Sequence, residues 1–179
     1  MRNILFKNKW VEVHELVTEK GSYVYSHSAW CNGQGVAVLP FKIEDNQLYL
    51  LGRYEICPAH SNTFDLCSIT GGMDVEGESP AFTAKRELLE EGGYNVPVEK
   101  LIYLGEVKPS KQSDSIQHLF VVDVTGKTQG EIIGDGTFGE EGAYCDWITP
   151  EQLSSAQDPL LHAMLMRAME KRIFRNKKH

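Results

Sequence analysis

Residues 72–94 read GMDVEGESPAFTAKRELLEEGGY, and the reading of this stretch decides the fold. Ser79 and Pro80 mark a helix start: serine can cap free N–H groups of the first turn, and proline suits the first helical position because no partner is needed there. Gly92 and Gly93 mark the stop, since either can take the left-handed conformation that ends a helix. At roughly 100° per residue, Thr83, Glu87, Glu90 and Glu91 share one face. Ala81, Ala84 and Leu88 lie on another, with Phe82 and Leu89 as a second apolar edge. The helix can thus be packed on two sides and still present carboxylates on a third.

That charge is locally costly. Glu87 and Glu91 are a like-charged i,i+4 pair near the helix C-terminus, where the macrodipole disfavours anions. A divalent cation would reverse both penalties, and hard carboxylate oxygens on a rigid helix suit Mg²⁺, with Mn²⁺ as the alternative. Taken alone, the string ELLEE reads as an ordinary solvated acidic face.

The whole segment resembles the signature of the Nudix hydrolases, G-x5-E-x7-R-E-U-x-E-E-x-G-U, with U a bulky apolar residue. Gly72, Glu78, Arg86, Glu87, Leu88, Glu90, Glu91 and Gly93 fall on its fixed positions, and Tyr94 stands where an aliphatic is usual. The resemblance implies an α/β/α sandwich with a mixed sheet and a loop–helix–loop that binds metal. It also implies cleavage of a nucleoside diphosphate linked to another group. Carried over, Glu87 and Glu91 are the main metal ligands, joined by the backbone carbonyl of Gly71, with Glu90 as a further ligand or water-orienting carboxylate. Glu78 and Arg86 would pair and hold loop against helix.

Length and charge agree. The 179 residues suit one sizeable core. A formal charge of −7 argues against an extended nucleic-acid surface and against anionic membranes. It also means that an anionic substrate needs local positive charge or metal. Cys31, Cys57, Cys67 and Cys145 show neither paired C-x-x-C spacing nor a dense framework, which reads as reduced thiols in a cytoplasmic protein. No apolar run is long enough for a transmembrane helix, and the start, MRNILFKNKW, turns polar too soon for a signal peptide.

Outward from the box, Trp10–Leu16 and Ser22–Ser26 predict an N-terminal hairpin around Glu19-Lys20-Gly21. Residues 1–30 are read as this extension, a dimer element, and 31–179 as the catalytic domain. Strands are expected over Gly33–Ile43, Gln47–Tyr54, Leu101–Val107, Ile116–Val124 and Ala143–Ile148. Pro40 suggests an irregular or edge position. A final helix is expected from Pro159 to about Phe174, with Leu161, Met164, Leu165 and Ala168 as its apolar stripe, widened by Leu160, Met169 and Ile173.

Several features resemble the ADP-ribose pyrophosphatase branch of the family. Pro109 lies fifteen residues past Tyr94, and YLGEVKPSKQSDSIQHLFVVDV is similar to that branch's loop and strand. The departures are Lys111-Gln112 in place of Pro-Gly, Asp114-Ser115 where a glutamate is usual, Thr70 before Gly71, and Glu55 where a basic residue is common. They bear on the nucleoside contacts rather than on the metal site. Pro109, Arg53, Trp10 and Tyr25 are candidate substrate contacts, the two aromatics across a homodimer. Equally, Arg53 can be a surface ion-pair partner, and Trp10 and Tyr25 core or interface residues. His118 reads as a sheet-surface residue and Trp147 as core.

The expected reaction is metal-assisted hydrolysis of the pyrophosphate of ADP-ribose or a related nucleoside diphosphate sugar. The alternatives are a modified nucleoside triphosphate, NADH or a dinucleoside polyphosphate, or a nucleotide-binding regulatory module without turnover. The water must be activated by another carboxylate. By resemblance it comes from the glycine-rich segment Gly130–Gly142, where Glu141 and Glu140 are the candidates, with Asp135 and Glu131 also open and Glu90 as the box alternative. Gly136, Phe138, Gly139 and Gly142 suggest a lid or an unstructured segment.

Overall fold

The structure, a computed structural model, describes residues 1–133 and 141–174. β1 (Arg2–Lys7), β2 (Val11–Thr18) and β3 (Gly21–Ser28) form a small antiparallel sheet in the order β1-β2-β3. The expected hairpin is β2–β3. The additional strand β1 escaped the sequence reading because RNILFK lacks a clean alternation and its side chains are largely exposed. Glu12 ties β1 to this hairpin: its carboxylate meets Lys7 Nζ of β1 at 2.6 Å and, within its own strand, His14 Nε2 at 2.7 Å. Hydrogen bonds from Lys7 and then His14 hold the Glu12 carboxyl below the usual carboxylate range. Its contribution to stability is therefore present above the free-glutamate value of about 4.3 and is lost as pH falls through the lower folded value. Urea titrations of the parent and Glu12→Gln should differ at pH 7 and converge in acid.

The main sheet contains β4 (Gln34–Glu44), β5 (Gln47–Ile56), β6 (Phe64–Cys67), β7 (Ile69–Gly72), β8 (Ile102–Val107), β9 (Ile116–Asp123) and β10 (Tyr144–Ile148). Its path is β10-β5-β4-β9-β8, with β6 on β5 and β7 on β4. Only β4 and β9 run parallel among these pairs, so the sheet is mixed. β4 and β5 pair over 41–44 and 47–50 and then diverge, and β6 and β7 fill the opening. Ser68 lies between these two strands and donates its N–H and hydroxyl to Asp158. Pro40 is not at an edge. It lies in the central strand, between the residues that pair with β7 (35–38) and those that pair with β5 (41–44), where a missing N–H costs least.

Alternation along the strands splits the core in two. Val36, Val38, Phe120 and Val122 face α1 (Pro80–Glu90) and its buried Ala84 and Leu88. Ala37, Leu39, Leu119 and Val121 face the other layer, α2 (Pro150–Leu153) and α3 (Pro159–Glu170), through Leu153, Leu161, Met164, Leu165 and Ala168. The result is the expected three-layer sandwich. Met169 stays exposed, and α3 ends at Glu170, earlier than expected. Arg172 takes a left-handed φ of 58°, and the Ile173 N–H returns to the Ala168 carbonyl. Phe174 nevertheless packs edge-on against Phe41.

Caps differ in how they are made. Thr149 and Gln152 form a reciprocal capping box on α2. Thr149→Ala should cost about 1 kcal/mol, read as a lowered denaturation midpoint with unchanged slope. Ser79 occupies the expected position ahead of α1, but its side chain makes no capping bond; its carbonyl accepts from Phe82 and Thr83 instead. At the other end Gly93 takes φ +73°, and the Tyr94 N–H reaches the Leu88 carbonyl. Phe82 and Leu89, read as an apolar edge, are exposed, so α1 packs through one side only.

Candidate active site

Helix α1 buries Thr83, Ala84, Glu87 and Leu88, and its buried side runs against β7. Glu87 and Glu91 are therefore carried inward with the apolar residues, and only 7% and 8% of their surfaces remain exposed. Gly71 is what makes room. A Cβ there would lie 2.1 Å from the Glu87 carboxyl carbon, so the carboxylate sits directly on the Gly71 backbone. Glu91 is oriented by the Thr70 N–H, 3.2 Å from its Oε2.

Two guanidiniums manage this buried negative charge. Arg86 Nη1 lies 2.7 Å from Glu87 Oε1 and 3.3 Å from Glu90 Oε2, while its Nη2 lies 3.4 Å from Asp74 and 3.8 Å from Glu78. Burial alone would lower the Arg86 pKa, yet the surrounding carboxylates leave it raised. Glu78 is held more closely by the Thr83 hydroxyl, at 2.8 Å. Arg53, only 1% exposed, lies beneath the site: Nε donates to Glu55 at 2.8 Å and Nη2 meets Glu91 Oε1 at 3.4 Å. The Cys145 thiol donates to the Glu91 carbonyl at 3.2 Å, and burial pushes it up to about 12.

Thr70, Gly71, Asp74, Arg86, Glu87 and Glu91 line a cleft of about 420 Å³ that is also lined by Trp30, Gln34, Ser115 and Gln117. Trp30 covers Gly72 so closely that a Cβ would meet the ring at 2.0 Å, and Trp10 packs on Trp30 edge-on at 6.4 Å. Gln117 Oε1 is buried and has no hydrogen-bond partner among the described residues. A carboxylate floor beside an aromatic and two amides can hold a cation and phosphates at one end and a planar base at the other.

A family model for the NUDIX domain matches residues 32–169. The chain belongs to the NUDIX family. A Bacillus subtilis (strain 168) protein named "Putative 8-oxo-dGTP diphosphatase" is 33% identical over 120 residues, covering 67% of this chain and 68% of that one. A solved structure titled "Crystal structure of ADP compounds hydrolase" superposes with a TM-score of 0.63 at 18% identity, covering 96% of this chain and 93% of the other. That likeness shows a shared fold.

Against this NUDIX fold, the residues singled out from sequence fall in three groups. Gly71, Glu87 and Glu91 converge on the cleft. Glu90 lies on the same helix but turns to Arg86 and does not line the cleft, and Arg53 is under the site, where it binds Glu91. The remaining candidates lie away from it. Tyr25 packs on His14 and lies beneath Arg2, and it lines a separate depression with Tyr23 and Lys111. Trp10 reaches the rim only through Trp30, and Pro109 is exposed on the β8–β9 loop. Glu141 is exposed in the turn before β10, while Glu140 and Asp135 lie outside the described residues. Glu131 is exposed in a segment tied to the end of α1 by Gln129, Gly130 and Ile133. His118 bridges Gln34 and Tyr103, and Trp147 is half-buried against Tyr94.

Trp30, Gln34 and Gln117 were missed. Gln34 begins β4 and Gln117 is the second residue of β9, and Gln34↔Ile116 is the first pair of that ladder, but only the crossover brings them together. The box glutamates are not the tightest ligand group. Among the described residues, the His, Cys, Asp and Glu side chains that bring three ligand atoms within 4.8 Å of one another are Glu55, Cys57 and Cys67.

Proposed function

We propose that this NUDIX protein is a Mg²⁺-dependent pyrophosphohydrolase, with Mn²⁺ as the alternative, of a nucleoside diphosphate joined to a further group. The observation that carries this reading is the Glu87 carboxylate seated on Gly71 with Glu91 beside it, an all-oxygen cradle that a single Cβ would fill. Glu87, Glu91 and the Gly71 carbonyl would hold the ion, with Glu90 as an additional ligand. When bound, it would neutralise the diphosphate and acidify a water.

The chain's own groups do the rest. Arg86 and the Thr70 N–H aim the two carboxylates. Trp30 supplies a stacking face and Gln117 an unsatisfied amide oxygen for a base N–H. The water's proton goes to Glu141 or Glu140 from the segment before β10, with Glu90 as the alternative base. Gly142, at φ +78°, gives that segment a sharp turn next to Glu141.

For substrate we favour ADP-ribose or a related nucleoside diphosphate sugar. The N-terminal sheet supports it by bracing the β8–β9 loop: Tyr23 donates to the Lys111 carbonyl, and the Ser26 N–H to that of Gln112. A modified nucleoside triphosphate is the second reading, favoured by the name of the Bacillus relative. Product identification after Mg²⁺-dependent turnover separates them. Nucleoside monophosphate plus sugar phosphate supports the first, and monophosphate plus pyrophosphate from the oxidised triphosphate supports the second. No turnover of either, with binding retained, would make the chain a regulatory module.

The exposed Ile4, Leu5, Phe6, Leu16, Val17, Tyr23 and Val24 on the small sheet support a homodimer through that extension. Sedimentation as a monomer at micromolar concentration would exclude it. Among the described residues no helix is long and apolar enough to cross a membrane. Together with four free cysteines, this fits a cytoplasmic setting, which fractionation would test.

A further inference from the structure

β5 and β6 pair antiparallel from Arg53↔Cys67 to Ile56↔Phe64, and the chain between them turns back at once. The Cys57 carbonyl accepts from the His60 and Ser61 N–H groups, closing that turn. The fold thus brings Cys57 and Cys67 together with their sulfurs 3.5 Å apart. Glu55 completes a set of three ligand atoms within 4.8 Å of one another. Glu55 is itself fixed, because Arg53 Nε donates to its Oε2 at 2.8 Å. His60 lines the same depression of about 300 Å³ as these three side chains.

We propose that Glu55, Cys57 and Cys67 form a second cation site, for zinc or a comparably thiophilic divalent ion, separate from the box glutamates. The spacing argues for a shared ion. Two sulfurs each about 2.3 Å from a tetrahedral zinc lie roughly 3.8 Å apart, whereas a disulfide holds them at about 2.05 Å. The donor set argues for the metal's identity. Two soft thiolates, with a carboxylate that zinc also accepts, select zinc over Mg²⁺, the reverse of the all-oxygen box. Three protein ligands leave one position, which His60 or a water fills. The ion would staple the 57–63 turn to β6 and fix Glu55, which also forms part of the wall of the main cleft.

The alternative is a thiol–thiol hydrogen bond with no affinity for metal. Titration of the reduced, full-length protein with Co²⁺ distinguishes the two. One equivalent should give thiolate-to-cobalt charge-transfer absorption, displaced by Zn²⁺. The absorption should be lost in Cys57→Ser and in Cys67→Ser and retained in Glu87→Gln. As a check needing no variant, saturating Zn²⁺ should protect Cys57 and Cys67 of the parent protein from alkylation, with Cys31 unchanged, by peptide mass mapping. Absence of the absorption in the parent, its persistence in both cysteine variants, or alkylation unaffected by Zn²⁺ would each overturn the proposal. The outcome is independent of nucleotide turnover, so it stands or falls apart from the proposed hydrolase activity.

Discussion

Glu87→Gln and Glu91→Gln should each lower kcat for the Mg²⁺-dependent reaction by about 10²–10⁴-fold. Metal-borne stabilisation of a transferring phosphoryl is worth several kcal/mol, and each roughly 1.36 kcal/mol is tenfold in rate. A glutamine keeps the shape and loses the charge that binds the ion. The two variants should differ in stability. Glu87 is paired with Arg86, which is half-exposed and has Glu90, Glu78 and Asp74 as further partners, so its loss is readily absorbed. Glu91 is paired with Arg53, a buried cation, so its neutralisation should lower the denaturation midpoint. Relief of the repulsion between the two glutamates, the effect expected from sequence alone, is small beside this. Turnover at the parent rate in both variants, measured across a Mg²⁺ titration, would remove the box from the chemistry.

Arg53→Met should destabilise the fold by about 3–5 kcal/mol, the cost of leaving a buried charge partner without its counter-ion. For a chain of this size that is a melting-temperature loss of roughly 6–20 °C. Methionine fills much of the volume, so the loss reports charge rather than a cavity. Glu91→Gln should be much less costly in the Arg53→Met background than in the parent, because the uncompensated carboxylate is then removed. An unchanged urea midpoint for Arg53→Met would show that the Glu55 and Glu91 contacts contribute nothing.

Arg53 also shows what was legible in the sequence. The box helix, its glycine stop and the row of carboxylates were legible from local spacing and residue type, whereas the inward turn of Glu87 together with Leu88 was not, since the spacing set them on different faces. The ranges of β4 and β9 were likewise legible, as strands over Gly33–Ile43 and Ile116–Val124. Whether Arg53 points at substrate or under the site depends on the tertiary approach of β5 to Glu91 at the end of α1, which no local spacing encodes. Trp30 is the same case in reverse: it follows a strand of polar and aromatic alternation and becomes part of the cleft only because Gly72 lets it approach. Ser79 kept its position and lost its capping bond, which shows that residue type fixes where a helix begins more reliably than which atoms satisfy it.

The parallel pairing of β4 with β9 carries a consequence for how the protein is made. Gln34 meets Ile116 across 82 positions of chain, and β7 and α1 lie within that span. Closing so long a loop is entropically unfavourable before any contact repays it, which slows folding. The eleven residues of α1 are too few to hold a helix alone in water. The elements that form the carboxylate cradle, β7 and α1, precede β9 in the chain, but the sheet they pack on stays open along one side of β4 until β9 joins it. Until then Phe120 and Val122 are missing from that half of the core, Val36, Val38, Ala84 and Leu88 are incompletely covered, and the half-made chain is the species most exposed to aggregation.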